Sequence, residues 1–236
     1  KPDVRRRFRD VDPLGKAVSE VLERGLSYSV DGYCFDGSMR FDVLDALVPG
    51  RGVSRVRYVP SITGEEQDKG AEAFTGNTEE LEYEQTTVEH VNWEDFRHAF
   101  GRTWDEVTWV AFACQLRKDD VIEMFGQEVS DSLKYDEPKD GENQTKADQL
   151  EKSELYLTAR FWEVWDKEGE KVFFFQENHK SGLIYPLNNP NGDVPLKFKN
   201  FYPCPEPIRF VEDSGSLTPV PPYELYKQQA DEVDLI

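Results

Sequence analysis

The chain carries Phe-Tyr-Pro-Cys-Pro-Glu-Pro at residues 201–207 and Thr-Pro-Val-Pro-Pro-Tyr-Glu-Leu-Tyr-Lys at residues 218–227. Proline fixes φ near about −65° and pushes the residue before it toward extended geometry. The alternate prolines of residues 201–207 therefore predict a stiff, polyproline-like connector that is neither a helix nor a central strand. Pro221 and Pro222 suit the first turn of a helix, because the missing N–H is not needed there. This part of the chain is predicted to be a rigid connector that leads into a helix.

The predicted C-terminal helix has a narrow apolar seam. Its apolar positions recur three or four residues apart, at Tyr223, Tyr226, Ala230 and Val233. No Gly, Asn or Pro follows this seam before Ile236, so the pattern predicts a long helix that is truncated. At the other end the chain begins with Lys and continues as a basic, extended-looking run over residues 1–9. We expect an internal fragment of a longer protein.

Two helices are predicted in the first fifty residues. Asp12 as N-cap and Pro13 at the first helical position predict a helix that runs to about Ser29. Asp36 is predicted to cap a second helix, which ends at Pro49. Both helices carry apolar residues at helical spacing, so we expect them to pack together.

Most of the remaining apolar runs are bounded by turn-forming residues and predict strands. These runs cover residues 54–58, 88–93, 107–116, 155–165, 171–176 and 182–187. The run at 107–116 is apolar enough to predict a strand buried on both faces. The acidic segment 166–170 predicts the turn of a hairpin between the fourth and fifth runs. A short helix or turn is predicted at residues 93–96, and another helix is predicted to start at Asp119 and to end at Gly126.

The order of these elements predicts an α+β fold, since helices come first, strands follow and no regular βαβ alternation occurs. Residues 1–50 form a helical segment. Residues 51–200 form a mostly antiparallel α+β module with long polar loops at residues 61–82 and 127–154. Residues 201–236 form the proline-rich connector and the start of the long helix.

Composition narrows the classes of function. The 236 residues include 28 Lys and Arg against 47 Asp and Glu, a net charge of −19. Such a surface repels nucleic acid at long range unless basic groups cluster, which disfavours a DNA-coating role. Cys34, Cys114 and Cys204 are far apart and odd in number, which favours a reducing compartment over a disulfide framework. No apolar run reaches the roughly 18 residues of a membrane-spanning helix.

A search for chemistry assigns no catalytic, cofactor-binding or metal-binding residue. The sequence Gly50-Arg51-Gly52 lacks the third glycine and the strand-before-helix context of a dinucleotide site, so it predicts a tight turn. His90, His98 and His179 have no His or Cys partner at metal-ligand spacing. We therefore expect a protein that is not an enzyme and needs no cofactor.

One alternative is a carboxylate-dependent hydrolase with an aromatic cleft. The many carboxylates and the five tryptophans could in principle form a sugar site, and the tryptophans are Trp93, Trp104, Trp109, Trp162 and Trp165. Three of them, however, lie in strand-like apolar runs, where large aromatic side chains usually form the core.

A third possibility is a non-viral adaptor module.

Four segments in order carry a resemblance to a known family. They are Leu-Val-Pro-Gly-Arg-Gly-Val-Ser-Arg-Val-Arg-Tyr (47–58), Val-Asn-Trp-Glu-Asp-Phe (91–96) with Trp-Asp-Glu-Val-Thr-Trp-Val (104–110), Phe-Trp-Glu-Val-Trp-Asp-Lys (161–167), and the connector at 201–207. Together they resemble portal proteins of tailed bacteriophages, in the branch associated with short-tailed phages. The likeness is weakest over residues 61–82 and 127–154.

The resemblance implies a structural subunit in a ring of about twelve copies at one capsid vertex of the virion. Such a portal is assembled in the host cytoplasm and is a head-to-tail connector. Double-stranded DNA passes through its channel during packaging and ejection, without sequence specificity. Its partners are further copies of itself, the terminase motor, the capsid protein and tail adaptor proteins, with no membrane. Residues 1–50 would be wing- or stem-like, and the resemblance assigns no DNA-contacting residue.

Overall fold

The computed structural model describes residues 3–4, 12–63, 80–136, 157–179, 182–195 and 198–234. It has the predicted α+β class, with two N-terminal helices, two antiparallel sheets and a C-terminal helix. The helices are α1 (Pro13–Gly32), α2 (Phe35–Leu47), α3 (Lys118–Phe125), α4 (Gln127–Ser132) and α5 (Pro222–Asp234). The strands are β1 (Val53–Thr63), β2 (Glu80–Val91), β3 (Phe96–His98), β4 (Trp109–Arg117), β5 (Thr158–Asp166), β6 (Lys171–Phe175) and β7 (Leu183–Ile184).

Helix α1 begins as its sequence predicts. The Asp12 side chain accepts a hydrogen bond of 3.0 Å from the Leu14 amide, and Pro13 is the first helical residue. Helix α2 differs from the prediction, because its N-cap is Cys34 in a left-handed conformation with φ of 54°. Asp36 lies inside the first turn, where its negative charge still favours the helix N-terminus.

The apolar residues of α1 are not buried against the rest of the described chain. Helix α1 contacts α2 and β2, yet none of its residues is fully buried. The side that is half-buried carries Gly15, Ser19, Glu23 and Ser27. An exposed apolar stripe runs beside it, which we call the apolar face of α1; it comprises Leu14, Val18, Val21, Leu22 and Leu26. The two N-terminal helices therefore contact each other as predicted, but the apolar residues of α1 are not buried in the contact.

Strands β1 and β2 form a two-stranded antiparallel hairpin. Their register runs from the Val53–Val91 pair to the Thr63–Glu80 pair, with an irregularity at residues 61–62. The prediction made the loop at residues 61–82 too long, since both strands extend into this range. Residues 64–79 lie outside the described residues. Strand pairing uses the backbone, so the polar composition of these ends did not prevent it.

Strands β3 to β7 form an antiparallel sheet in the order of the chain. The hairpin predicted for residues 166–170 is confirmed, with Asp166 paired with Lys171. Alternation along the strands buries one face, whereas on the other face Trp109 is 38% exposed. The prediction that residues 107–116 are buried on both faces is therefore wrong at this end of β4. The predicted loop at 127–154 begins instead with α4, and residues 137–156 lie outside the described residues.

The buried face of the sheet contributes to two apolar clusters. One lies beneath α3, where the Phe125 ring stacks on Phe161 at 5.2 Å between centroids. The other, which we call the main core, includes Val53, Phe96, Trp104, Val107, Val110, Trp165, Tyr202 and Cys204. Each of the four segments that carry the family resemblance contributes residues to the main core.

The connector at residues 201–207 lies along the outer edge of β1. The Pro203 carbonyl accepts a hydrogen bond of 2.7 Å from the Val56 amide, and Gly52 exchanges bonds of 3.0 and 2.8 Å with Ile208. The Tyr202 hydroxyl donates to the Val107 carbonyl at 2.6 Å, which fixes the connector to the main core. The prediction that this segment is neither helix nor central strand is confirmed.

The long C-terminal helix is not found. Helix α5 covers 13 residues and begins at Pro222, with Glu224 in its first turn. Its large apolar side chains, including Tyr223 and Tyr226, are exposed among the described residues. Proline and the first-turn carboxylate determine where such a helix starts, and the apolar seam alone does not determine how far it continues.

Candidate functional site

The five tryptophans lie in different environments. Trp104 and Trp165 belong to the main core, and Trp109 lies on the open face of the sheet. Trp93 and Trp162 line one cleft, which we call the Trp93–Trp162 cleft. The structure thus assembles an aromatic cleft from two of the five candidate residues.

The Trp93–Trp162 cleft has a volume of about 450 Å³. Besides its two indole rings, its lining is polar and falls into three chemical groups. These groups are the cations Arg97, Lys134 and Arg160, the carboxylates Glu94, Asp136 and Glu177, and the amides Gln176 and Asn178. Positive and negative side chains are equal in number in this lining, so the cleft does not share the strong acidity of the whole chain.

The Trp162 ring is held in place by two guanidinium groups. The Arg97 and Arg160 carbons Cζ lie 5.4 and 5.1 Å from its ring centroid, at cation–π distance. Arg160 in turn donates to Asp95 Oδ1 at 2.7 Å. Arg160 and Trp162 are two residues apart on β5, so strand alternation directs both side chains to the same face of the sheet.

The backbone of Trp93 is held by one hydrogen bond at its amide and another at its carbonyl. The Trp93 amide donates to Asp45 Oδ2 at 3.3 Å, and its carbonyl accepts from Arg51 at 2.8 Å. Asn92 caps the turn by accepting a bond of 2.9 Å from the Glu94 amide. The Trp93 side chain is 40% exposed and its backbone is well anchored, which makes its position in the cleft preorganised.

The part of the cleft lined by Asp136, Gln176 and Asn178 is also held by hydrogen bonds. The Asp136 backbone exchanges hydrogen bonds of 2.8 and 3.0 Å with Thr158 on β5. Gln176 is only 4% exposed, and its side-chain oxygen accepts from the Asn178 amide at 2.6 Å. Both walls therefore rest on hydrogen-bonded structure.

A second cluster joins α2 to the β1–β2 hairpin, and we call it the Asp42–His90 cluster. Asp42 is fully buried and accepts a hydrogen bond from the Ser54 hydroxyl. His90 Nδ1 lies 2.6 Å from Asp42 Oδ1, and its Nε2 lies 3.3 Å from Asp45 Oδ2. Each ring nitrogen of His90 thus faces a carboxylate oxygen, which is a hydrogen-bond acceptor. Ser54 bonds the carboxylate instead of the imidazole, which is not the arrangement of an activated nucleophile.

The turn around Gly50-Arg51-Gly52 has no amides left for a phosphate. The Gly50 and Arg51 amides both donate to the Asp45 carbonyl at 3.0 Å, and the Gly52 amide donates to Ile208. Arg51 donates from its guanidinium to the Phe96 carbonyl at 3.0 Å and stacks on the Phe96 ring. Burial is the main cause that lowers the pKa of Arg51 to about 10. The residues form the predicted tight turn, and their backbone amides bond within the protein.

The other histidines also bond within the protein. His98 Nδ1 lies 2.8 Å from the Ala99 carbonyl, and His179 Nδ1 lies 2.9 Å from the Ser132 hydroxyl. Burial is the main cause that lowers the pKa of His98 from its ordinary value, and the charge of Arg51 acts in the same direction. Among the described residues, no group of three or more His, Cys, Asp or Glu is positioned to hold a metal ion.

The cysteines are expected to react with thiol reagents at very different rates. Cys34 is exposed, whereas burial is the main cause that raises the pKa values of Cys114 and Cys204 to about 12 each. Because the thiolate is the reactive form, we expect iodoacetamide at pH 8 to modify Cys34 first in the folded protein. Mass spectrometry of tryptic peptides over time gives the measurement. In the Cys34→Ser variant the fast phase should vanish; modification of Cys114 or Cys204 at the same rate as Cys34 would contradict the predicted order of reactivity.

In the ranges that the structure describes, no helix is both long and apolar enough to cross a membrane.

Comparison of the chain with models of known protein families gives no match, and comparison with curated proteins gives none either.

Proposed function

We propose that the chain is part of a portal-type ring subunit of a tailed bacteriophage, which forms a channel for double-stranded DNA and an attachment point for tail proteins. The main support is that the four segments of the resemblance, far apart in the chain, meet in the main core. Residues that determine the fold common to a protein family are expected to pack together in one core. Such a subunit would reside in the virion, after assembly in the host cytoplasm, and would contact the terminase motor, the capsid protein and tail adaptors.

The apolar face of α1 supports assembly with other copies. It presents several large apolar side chains to solvent, with Val21 67% exposed, while the small and polar side of the helix lies toward the protein. A contiguous apolar surface of this kind is typical of a protein interface. In a ring, each copy meets two neighbours through a repeated pair of surfaces, and this face offers one of them.

The net charge of −19 is compatible with a channel through which DNA slides. Tight binding of DNA requires many cations that neutralise phosphates and release counterions. A wall with few such cations holds DNA weakly and lets it pass. The proposal therefore needs no DNA-binding motif.

Substitution of Val21 by Lys is expected to disrupt the ring. A charge on the apolar face of α1 loses its hydration when a neighbouring copy covers it, which costs several kcal/mol per interface. Native mass spectrometry and electron microscopy of the full-length protein are expected to show rings of about twelve copies for the parent and smaller species for Val21→Lys. The thermal midpoint of the dissociated subunit should stay close to that of the parent subunit.

Glu20→Lys is the matched control. It introduces the same side chain at the neighbouring position, on the exposed polar side of the same helix. We expect it to assemble like the parent. A parent protein that remains monomeric at high concentration would contradict the ring, and equal assembly of both variants would exclude the apolar face of α1 as the interface.

The hydrolase alternative stays a prediction. It is favoured by one observation, the presence of Trp93 and Trp162 in a cleft with three carboxylates. Such a hydrolase requires two of the carboxylates to flank the bond that is cleaved. Release of reducing ends from oligosaccharides, lost in Glu94→Gln or Glu177→Gln, would establish it.

A further inference from the structure

The Trp93–Trp162 cleft has a chemistry that the proposed ring does not use. Its volume of about 450 Å³ lies within the roughly 300–1,000 Å³ of sites for small molecules. Most of its lining is polar, unlike the apolar lining of sites for drug-like ligands. A ligand that fits it must therefore be polar over much of its surface and must also present a flat face to an indole ring.

The charges of the cleft argue against an anionic ligand. Its lining holds three cations and three carboxylates, and Arg160 is already paired with Asp95 at 2.7 Å. A nucleic acid strand needs an excess of unpaired cations along its path, in addition to aromatic stacking. The balanced lining favours a neutral ligand whose hydroxyl groups both donate and accept hydrogen bonds.

From these observations we infer that the Trp93–Trp162 cleft binds a neutral saccharide. One pyranose face lies on the exposed Trp93 indole, because the ring C–H groups of a sugar form an apolar surface against an aromatic face. The carboxylates of Glu94, Asp136 and Glu177 accept from hydroxyl groups, and guanidinium and amide groups donate to them. The inference concerns binding alone and does not depend on the proposed ring.

The residues that line the cleft are already held in position without a ligand. The Trp93 backbone is held by Asp45 and Arg51, and the Trp162 ring is fixed by two guanidinium groups. Gln176 is almost fully buried, so one amide wall cannot move away. A site that loses little conformational freedom on binding retains more of its interaction energy as affinity.

The test uses the full chain with defined probes. These are methyl glucopyranoside, methyl galactopyranoside, N-acetylglucosamine and the linear trisaccharides of glucose and of N-acetylglucosamine. Saturation-transfer NMR detects binding and Trp fluorescence gives the affinity. At least one probe is expected to bind, and Trp93→Ala is expected to weaken its binding about fivefold, since stacking contributes on the order of 1 kcal/mol.

Trp109→Ala is the matched control, because Trp109 is 38% exposed and Trp93 is 40% exposed, but Trp109 does not line the cleft. It should bind the probe like the parent, and Trp93→Phe should restore most of the affinity. If Trp93→Ala fails to fold by circular dichroism, Trp93→Phe and Asp136→Asn still test the site, with a loss of several-fold expected for the latter. Absence of binding by every probe, an equal loss in Trp109→Ala, or tighter binding of a ten-nucleotide thymidine strand would each overturn the inference.

Discussion

Replacement of Asp42 by Ala is expected to lower the free energy of unfolding by about 2–4 kcal/mol, since it removes one partner from a buried polar cluster. Asp42 is fully buried and accepts from both the Ser54 hydroxyl and His90 Nδ1. Without it the buried hydroxyl has no acceptor, and His90 keeps only the longer contact with Asp45 at 3.3 Å. The change also leaves a small cavity at the junction of α2 with the hairpin.

Urea denaturation followed by circular dichroism measures this loss. Asp42→Asn should lose about half as much, because an amide oxygen can still accept one of the two hydrogen bonds. Asp36→Ala is the control on the same helix, since Asp36 is exposed, and its effect should stay within about 0.5 kcal/mol. If Asp42→Ala were as stable as Asp36→Ala, the cluster would not be a stabilising feature.

Replacement of Gly52 by Ala is expected to destabilise the protein by about 3 kcal/mol or more, at the upper end of what overpacking causes. A Cβ atom at residue 52 would lie 2.0 Å from the Asp42 carbonyl oxygen, and a backbone atom cannot rotate out of the way. Relief would require β1 to move away from α2. That movement would strain the two hydrogen bonds between Gly52 and Ile208.

Gly25→Ala is the control for this substitution. Gly25 lies in α1 with no atom within 4 Å of its added Cβ, so alanine should stabilise the helix by about 0.5–1 kcal/mol. Thermal denaturation of both variants should thus give shifts of opposite sign. A Gly52→Ala variant with the thermal midpoint of the parent would show that α2 and β1 do not approach each other so closely.

The parts of the fold that sequence predicts well are those that local chemistry determines. The Asp12 cap, the Gly126 end of α3 and the acidic hairpin turn all act within a few residues, and all three occur where expected. Asp36 was assigned as a cap because its residue type suits that position. The structure uses the left-handed Cys34 instead, and no local preference indicates this choice.

The lengths of β1 and α5 depend on partners that are distant in sequence. Strand β1 continues to Thr63 because β2 supplies a backbone partner, although the composition there is that of a loop. Helix α5 has the seam of a long helix, but its exposed tyrosines show that nothing in the described chain covers it. A periodic pattern predicts which side of a helix is apolar and does not predict what will lie against it.

The cleft was only partly predictable, because its two walls come from segments that are distant in sequence. Sequence indicated five tryptophans and many carboxylates as possible parts of a site. Trp93 and Trp162 line one cleft because the turn before β3 lies close to the face of β5, where Arg160 bonds to Asp95. This proximity results from the order of strands in the sheet. The alternation of Arg160 and Trp162 was the one local signal, since it directs a cation and an aromatic ring to the same side.

The proline connector also occupies part of one edge of the β1–β2 hairpin. The amide of Val56 on β1 is bonded to Pro203, the amide of Gly52 just before β1 is bonded to Ile208, and the connector itself has no N–H at residues 203, 205 and 207. A strand from another molecule would therefore find few free donors along the first part of this edge. Exposed strand edges can pair with strands of other molecules, so the connector protects this part of the hairpin against edge-to-edge aggregation.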